Sequence, residues 1–410
     1  MNFKMGWRNI WRNKRRTLLT IAAIAFACIL LVFMLSFQIG TYDTMINASV
    51  GVHTGHMQIQ AKGYHEKRQI RQMVHHPEKM LGAIRDLPAV TAHTERGNAF
   101  SLVSSNARTY GALVIGIDPQ HEAETSTLQK LIRKGRYLEA TDTDAALVGQ
   151  LLARNLQVDL GDELTVLGQG RDGSVAAAVF TVKGVYSSGM DEFDRSAIHV
   201  PLGYFQEVFT LEDNVHEIVV TVQSLADVHS VKQALEQKIA DEALAEDLVV
   251  LDWMDLLPGL AQGIAMDLVS GLIIYVILIL VVAFSILNTF LMAILERTRE
   301  FGVMMALGTT PGRLVKMVML ESMLMTLVGI FTGIVMGVVL TWYFQVHGIV
   351  LAGSSEMLKQ YGISGALYPR LTWFSIVTGP LLVFLITVCA ALYPALKIKK
   401  LKPVDALTYT

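Results

Sequence analysis

Four long apolar runs, separated by one wide stretch of mixed character, one short charged stretch and one loop with only Lys359 and Arg370 as basic residues, set the plan of this chain. The runs cover approximately residues 17–39, 268–295, 315–344 and 372–395. Each is long enough to cross a hydrocarbon core of about 30 Å, for which roughly 20 helical residues suffice. The second holds no charged residue from Leu268 to Leu295 and, at about 1.5 Å per residue, measures roughly 42 Å. That exceeds the core, so this helix either tilts or rises from the membrane as a stalk.

Between the first two runs, residues 40–265 read as a domain folded in water. Alternating or β-branched segments at 56–60, 112–117, 163–167, 178–185, 197–200 and 217–222 predict strands. Met80, Leu81, Ile84 and Leu87 fall at helical spacing and predict a helix over 77–87; Val231, Leu235 and Ile239 predict another over 228–245. Strands and helices mixed in this order indicate an α+β domain. The expected fold class is therefore an α-helical membrane protein with four transmembrane helices and a large extracytoplasmic α+β domain between spans 1 and 2.

Composition agrees with this division. Of 410 residues 52% are hydrophobic and 17% charged, too apolar for an ordinary soluble protein and too charged for one lying wholly in lipid. The formal net charge of −2 gives no basic excess for nucleic acid. Cys28 and Cys389 both sit inside apolar runs, where core positions are expected, and leave no pair to staple an exported domain. The first run is too long for a signal peptide and lacks a small-x-small cleavage site, so it reads as a retained anchor.

Basic residues give the orientation. Lys4, Arg8, Arg12, Lys14, Arg15 and Arg16 precede the first run; Arg297, Arg299, Arg313 and Lys316 lie between the second and third; Lys397, Lys399, Lys400 and Lys402 follow the fourth. All three places are expected in the cytoplasm, with both termini inside. The expected order is a cytoplasmic amphipathic helix at 1–16, a span at 17–39, the outer domain at 40–265, and a second span with stalk at 266–295. A cytoplasmic helix and turn at 296–312, a span at 313–344, an outer loop at 345–371, a span at 372–395 and a cytoplasmic tail at 396–410 complete it.

The most informative stretch is 285–322. Glu296, Arg297, Arg299 and Glu300 gather at the start of a short segment in which, if helical, Phe301, Met304, Met305 and Gly308 share one side. Thr310 reads as an N-cap with Pro311 at the first helical position, starting a new helix. The segment reads as an amphipathic helix lying on the cytoplasmic surface; the pattern alone also fits a helix resting among lipid headgroups. In the third run Gly329, Gly333 and Gly337 form a small-xxx-small face for close approach of a helix from the same chain or from a second copy. The fourth carries Pro380, expected to kink it, and Pro394 near its exit.

ERTREFGVMMALG followed by TPGRLVKMVMLES resembles the coupling region of the ABC-transporter permease family that includes the MacB, LolC/LolE and FtsX types. The basic, tryptophan-bearing start, the Leu-Gly-Asp turn within 135–168 and the ending YPALKIKKLKPVDAL are similar to the same family. The resemblance implies a MacB-like periplasmic domain in two subdomains, the chain leaving one near Asp118 and returning near Pro201. It implies a bacterial inner-membrane protein whose coupling helix docks on a cytoplasmic ABC ATPase dimer through Glu296, Arg297, Arg299, Glu300, Phe301, Met304, Met305, Ala306, Leu307 and Gly308. The chain itself would be non-catalytic and carry no cofactor, with ATP and magnesium on the partner. A second permease copy or homologue, a periplasmic adaptor or lipoprotein, and membrane lipids complete the implied partners. Closest in layout is the LolC/LolE type, which implies lipoprotein release; MacB-like efflux and FtsX-like signalling are the alternatives.

The residues themselves offer little other chemistry. No GxxxxGK[ST] occurs, so no P-loop is present. His65-Glu66, His121-Glu122 and His216-Glu217 do not extend to HExxH and are expected to be structural or solvent-facing. Among the apolar runs the one buried carboxylate is Glu321, expected to pair with a neighbouring base at the interface; an ion-coupled carrier needs such groups near the midplane. A receptor with an outer sensor domain is the reading from another class, and it too would need a docked partner, since the cytoplasmic pieces are short.

Overall fold

The computed structural model describes residues 14–106, 108–241, 247–350 and 366–397. Most of the helix expected at 1–16, nearly all of the tail at 396–410, the middle of the loop at 345–371 and the end of the helix expected over 228–245 lie outside them. The chain divides into two compact units, one of Met1–Tyr42, Ile264–Val350 and Ala366–Thr410, the other of Asp43–Gly263 and Leu351–Gly365. The helices used below are, in chain order, α1 (Lys14–Ser49), α2 (Pro77–Arg85), α3 (Pro119–Thr125), α4 (Leu202–Val208), α5 (Val228–Asp241), α6 (Pro258–Glu296), α7 (Thr298–Ala306), α8 (Pro311–His347) and α9 (Trp373–Lys397).

The second unit is built on one mixed sheet of ten strands. They are β1 (Met57–Ala61), β2 (Val90–Ser104), β3 (Thr109–Ile117), β4 (Ile132–Gly135), β5 (Ala145–Gly149), β6 (Glu163–Gln169), β7 (Val175–Tyr186), β8 (Ala197–Pro201), β9 (Glu217–Val222) and β10 (Leu248–Asp252). Their order is β10-β1-β9-β2-β3-β8-β5-β7-β4, with β6 pairing β2 and β7. β6 and the first half of β7 alternate between buried and exposed positions, as strands with one wet face must. β5, β8 and β9 are buried throughout, and apolar or β-branched residues dominate them, with His199 in β8 and Glu217 at the start of β9 as buried exceptions.

β2 is the longest strand and was not legible in the sequence. One end pairs with β9 from Ala92 to Arg96, and the other reaches β6 at Leu102–Ser104. It therefore belongs to two apolar clusters. One gathers Met57, Ile59, Met80, Ile84, Ile218 and Leu235 under α2 and α5; the other gathers Val114, Leu152, Leu164, Phe180 and Phe205. The exit and return points at Asp118 and Pro201 are neighbours in space, because Ile117 faces Pro201 across the parallel β3–β8 ladder.

Polar residues hide the period of β2, because Thr94, Arg96, Asn98 and Ser101 are all buried in it. Arg96 is fully buried and holds Glu122 of α3 through Nε and Nη2, at 2.9 and 2.7 Å. Its Nη1 donates to the His53 carbonyl. Although burial works against its charge, this guanidinium keeps the Glu122 carboxyl below the usual range. The Asn98 N–H donates to His216 Nδ1 at 2.9 Å, and His216 Nε2 lies 3.1 Å from the Ile70 carbonyl. The hydrogen of the neutral ring therefore sits on Nε2, and a second proton would leave the Asn98 amide without its acceptor.

Burial pushes His216 down to about 4 and His199 to about 3. Their folded values lie below the ordinary imidazole value of about 6.5, so the unfolded chain binds more protons on acidification. This contribution to stability is complete above about pH 6.5 and is lost as pH falls toward the folded values. By pH 5 each ring costs about 2 kcal/mol. In the full-length protein, the melting transition of this unit should fall between pH 7 and 5, and the protection factor of the Asn98 amide, taken against its slower intrinsic exchange in acid, should fall with it. A flat profile across that window would contradict the assignment.

The other unit is a helical bundle. α1, α6, α8 and α9 all contain stretches long and apolar enough to cross a membrane. Both α1 and α6 exceed the runs that predicted them; α6 begins at Pro258, well before the uncharged stretch. Toward its C-terminal part α1 is tied to α6 by a polar chain. Tyr275 donates to Gln38 Oε1 at 2.9 Å, Gln38 Nε2 to Tyr42 at 2.8 Å, and Tyr42 to Asp267 at 2.5 Å.

The glycine face of α8 meets α1. Cβ atoms built on Gly329, Gly333 and Gly337 would lie 2.8 Å from Ile24, 2.5 Å from Cys28 and 3.3 Å from Ile29 and Val32. The close partner is thus a helix of the same chain. Gly379 of α9 stands in the same relation to Leu31, at 2.9 Å. α9 continues as a helix through Pro380 and Pro394. Cys28 is buried as expected, but Cys389 is exposed on the outer side of α9. A run that is apolar all round gives no period from which to tell the two faces apart.

Candidate functional site

The chain leaves α6 at Glu296 and enters α7 at Thr298, with Arg297 between them at φ −101°, ψ 6°. That residue is the clasp of the site. Its Nη1 donates to Glu321 of α8 at 2.9 Å and its Nε to Glu300 at 3.2 Å, and its guanidinium lies 5.4 Å from the Phe301 ring centre. The side chains of Arg297 and Glu321 are only 10% and 6% exposed. Glu321 thus has the basic partner expected of it. A charge pair this dry holds only when its donors and acceptors are met, and here one guanidinium bonds carboxylates from two helices.

Phe301 seals the other side. It is fully buried against Ile294, Leu314, Val315, Val318 and Ala395, with Met304 and Met305 partly buried beside it. The apolar side of α7 therefore closes on its own chain, and Phe301 is not among the side chains it offers outward. An amphipathic pattern states which residues seek an apolar neighbour, not which molecule supplies it.

The face left open carries the rest of the expected set. Glu296, Arg299, Glu300, Ala306, Leu307 and Gly308 are exposed, as is Val303. Leu307, at 82% exposure, is the most prominent apolar side chain of the turn. Gly308 has φ +93°, and no atom lies within 4 Å of a Cβ built there, so its need for glycine is conformational rather than steric. Its N–H donates to the Met305 carbonyl and that of Thr309 to Met304, both at 3.0 Å, which closes α7. Thr310 then occupies the N-cap position of α8 without a side-chain cap bond, and Pro311 is in its first turn. The result is a knuckle between two long helices, closed by these bonds and presenting Val303, Leu307 and charge outward.

Two family models cover the chain in succession. The MacB-like periplasmic core domain matches residues 17–238, more than half of the chain, and the FtsX-like permease C-terminal domain matches residues 272–403. The chain belongs to the MacB/FtsX family of ABC-transporter permeases. The knuckle and α8 fall inside the FtsX-like match, and the ten-stranded sheet falls mostly inside the MacB-like one. The permease is 24% identical to the lipoprotein-releasing system transmembrane protein LolC of Xylella fastidiosa over 308 residues, 73% of each chain. It is 23% identical to the LolC of Neisseria meningitidis serogroup B over 427 residues, 99% of this chain and 98% of that one. It is 21% identical to the macrolide export ATP-binding/permease protein MacB of Campylobacter jejuni over 99% of this chain and 61% of that protein.

One surface of the permease had no signal in the sequence. Phe100, Leu102, Leu167, Val175 and Val179 are exposed on the wet face of β2, β6 and β7, with Leu102 directly opposite Leu167. Only pairing register brings them together, since β2 and β6 are far apart in sequence.

Proposed function

We propose that this permease transmits motion from a separate cytoplasmic ATPase to its outer domain, and that the work done there is release of lipoproteins from the inner membrane. The observation that carries the first part is the knuckle. Val303 and Leu307 stand out from a turn whose base is fixed by Arg297, Glu321 and Phe301, so a push on the turn is delivered to α6 and α8 rather than absorbed locally. ATP and magnesium belong to the partner. The knuckle faces the cytoplasm together with both termini, because basic residues gather there. A second permease, identical or homologous, covers α6, whose most apolar window is only 6% buried within its own chain, against 39% for α1.

Lipoprotein release is supported by the likeness to LolC proteins over nearly the whole chain. The physical need for coupled ATP is plain: withdrawing a sixteen-carbon acyl chain from lipid costs on the order of 12 kcal/mol. The exposed apolar face of the sheet is then the surface that engages cargo or an adaptor. The likeness to a macrolide exporter over 99% of this chain supports efflux as the second reading.

Leu307→Asp tests the coupling. The side chain is exposed, so the variant should insert and melt like the native protein, yet stimulation of the partner ATPase should fall at least tenfold. Unchanged stimulation would remove the knuckle as the docking point. Labelling of Leu307→Cys from the cytoplasmic side alone would agree with the orientation. In vesicles reconstituted with the ATPase, ATP-dependent release of an acylated protein against movement of a macrolide separates the two cargoes.

A further inference from the structure

A groove opens between α8 and α9 on the side of the bundle nearest the knuckle. It encloses about 260 Å³ and is bounded on α8 from Val315 to Thr326 and on α9 from Thr387 to Ala391. Its three hydroxyls are already spent on their own helices. Ser322 donates to the Val318 carbonyl at 3.0 Å, Thr326 to Ser322 at 2.8 Å and Thr387 to Val383 at 2.7 Å. The wall therefore offers carbon rather than hydrogen-bonding groups. At one end stands Lys316, exposed and without an ion pair among the described residues; Arg313, one turn earlier on the same helix, is exposed as well.

We infer that this groove holds one acyl chain of an anionic membrane phospholipid, with the Lys316 ammonium on the headgroup phosphate. From Val315 to Thr326 the groove runs about 16 Å along the helix at 1.5 Å per residue. That is close to half of a hydrocarbon core of about 30 Å. The chain of a lipid in the adjacent leaflet thus fits end to end while its phosphate reaches the lysine. A soluble phosphate would leave the apolar wall wet. A helix from a second copy would bring apolar side chains against two cations. Charge at the mouth and carbon along the wall together favour the lipid.

The site is tested on the full-length protein in vesicles, with Met323→Trp as a reporter on the groove wall and the protein lacking that substitution as background. Brominated phosphatidylglycerol should quench the reporter with an apparent association about fivefold that of brominated phosphatidylcholine, which corresponds to about 1 kcal/mol for one basic residue. Lys316→Gln should bring the ratio close to one, and Lys316→Arg should preserve it. Equal quenching by both lipids, or a ratio indifferent to Lys316→Gln, would overturn the assignment. So would displacement of the lipid by inorganic phosphate. A reporter silent to every brominated lipid, with Met323→Cys cross-linking to a neighbouring protomer, would assign the groove to a second copy instead.

Discussion

Arg297→Met is expected to destabilise the permease by about 3–5 kcal/mol, the cost of leaving a buried carboxylate without its cation. Glu321 would then face Phe301 and Met325 in a setting where its charge has nothing to replace the guanidinium. Glu321→Gln should cost less, because Arg297 keeps Glu300 and the Phe301 ring. Replacing both, as Arg297→Met with Glu321→Leu, should recover much of the loss, since an apolar pair of similar size removes the desolvation penalty along with the attraction. Thermal midpoints in detergent of the native protein, Arg297→Met, Glu321→Leu and the double variant form the cycle. If the double variant also loses ATPase stimulation while melting normally, the clasp transmits motion as well as holding the fold. If Arg297→Met melts like the native protein, the pair contributes nothing and the knuckle has another anchor.

The second large effect is expected at Gly333. Two opposing terms decide each glycine of the α8 face. Alanine gains about 0.8–1.0 kcal/mol of helix propensity over glycine, and overpacking costs typically about 1–3 kcal/mol, occasionally more. At Gly333 the new Cβ would meet Cys28 Cβ at 2.5 Å and the Ala25 carbonyl at 2.8 Å, and backbone cannot step aside, so packing wins. At Gly337 the nearest atoms are 3.3 Å away and the two terms nearly cancel. Gly333→Ala should therefore lower the melting point clearly, Gly333→Leu should prevent the α1–α8 contact, and Gly337→Ala should be close to neutral. Cys28→Gly should relieve part of the Gly333→Ala loss. Equal effects at Gly333 and Gly337 would mean that α1 and α8 do not approach along this face.

Much of the architecture was readable because bilayer thickness and backbone hydrogen bonding leave few solutions for a long apolar run. The four spans follow from that, and the strands with a clear period of two follow from a sheet with one wet face. β2 did not, because Thr94, Arg96, Asn98 and Ser101 are buried and break the alternation that a wet-faced strand shows. The partners of the Arg96 side chain and the Asn98 amide, Glu122 and His216, come from other elements, and a one-dimensional pattern carries no trace of them.

The segment between the second and third spans shows the same division. Its sequence determined that a charged start, an apolar side and a glycine turn would sit between two spans, since spacing alone places Phe301, Met304 and Met305 together. Only the tertiary structure decided that this side turns inward onto Ile294, Val315 and Val318, leaving Leu307 outside. Likewise the glycines of α8 announced a close helix contact, but which helix supplies it was settled by packing against Ile24 and Cys28 of α1. Periodicity fixes what a face requires; the choice among chemically equivalent neighbours depends on how distant segments come together, and that is a property of the folded chain.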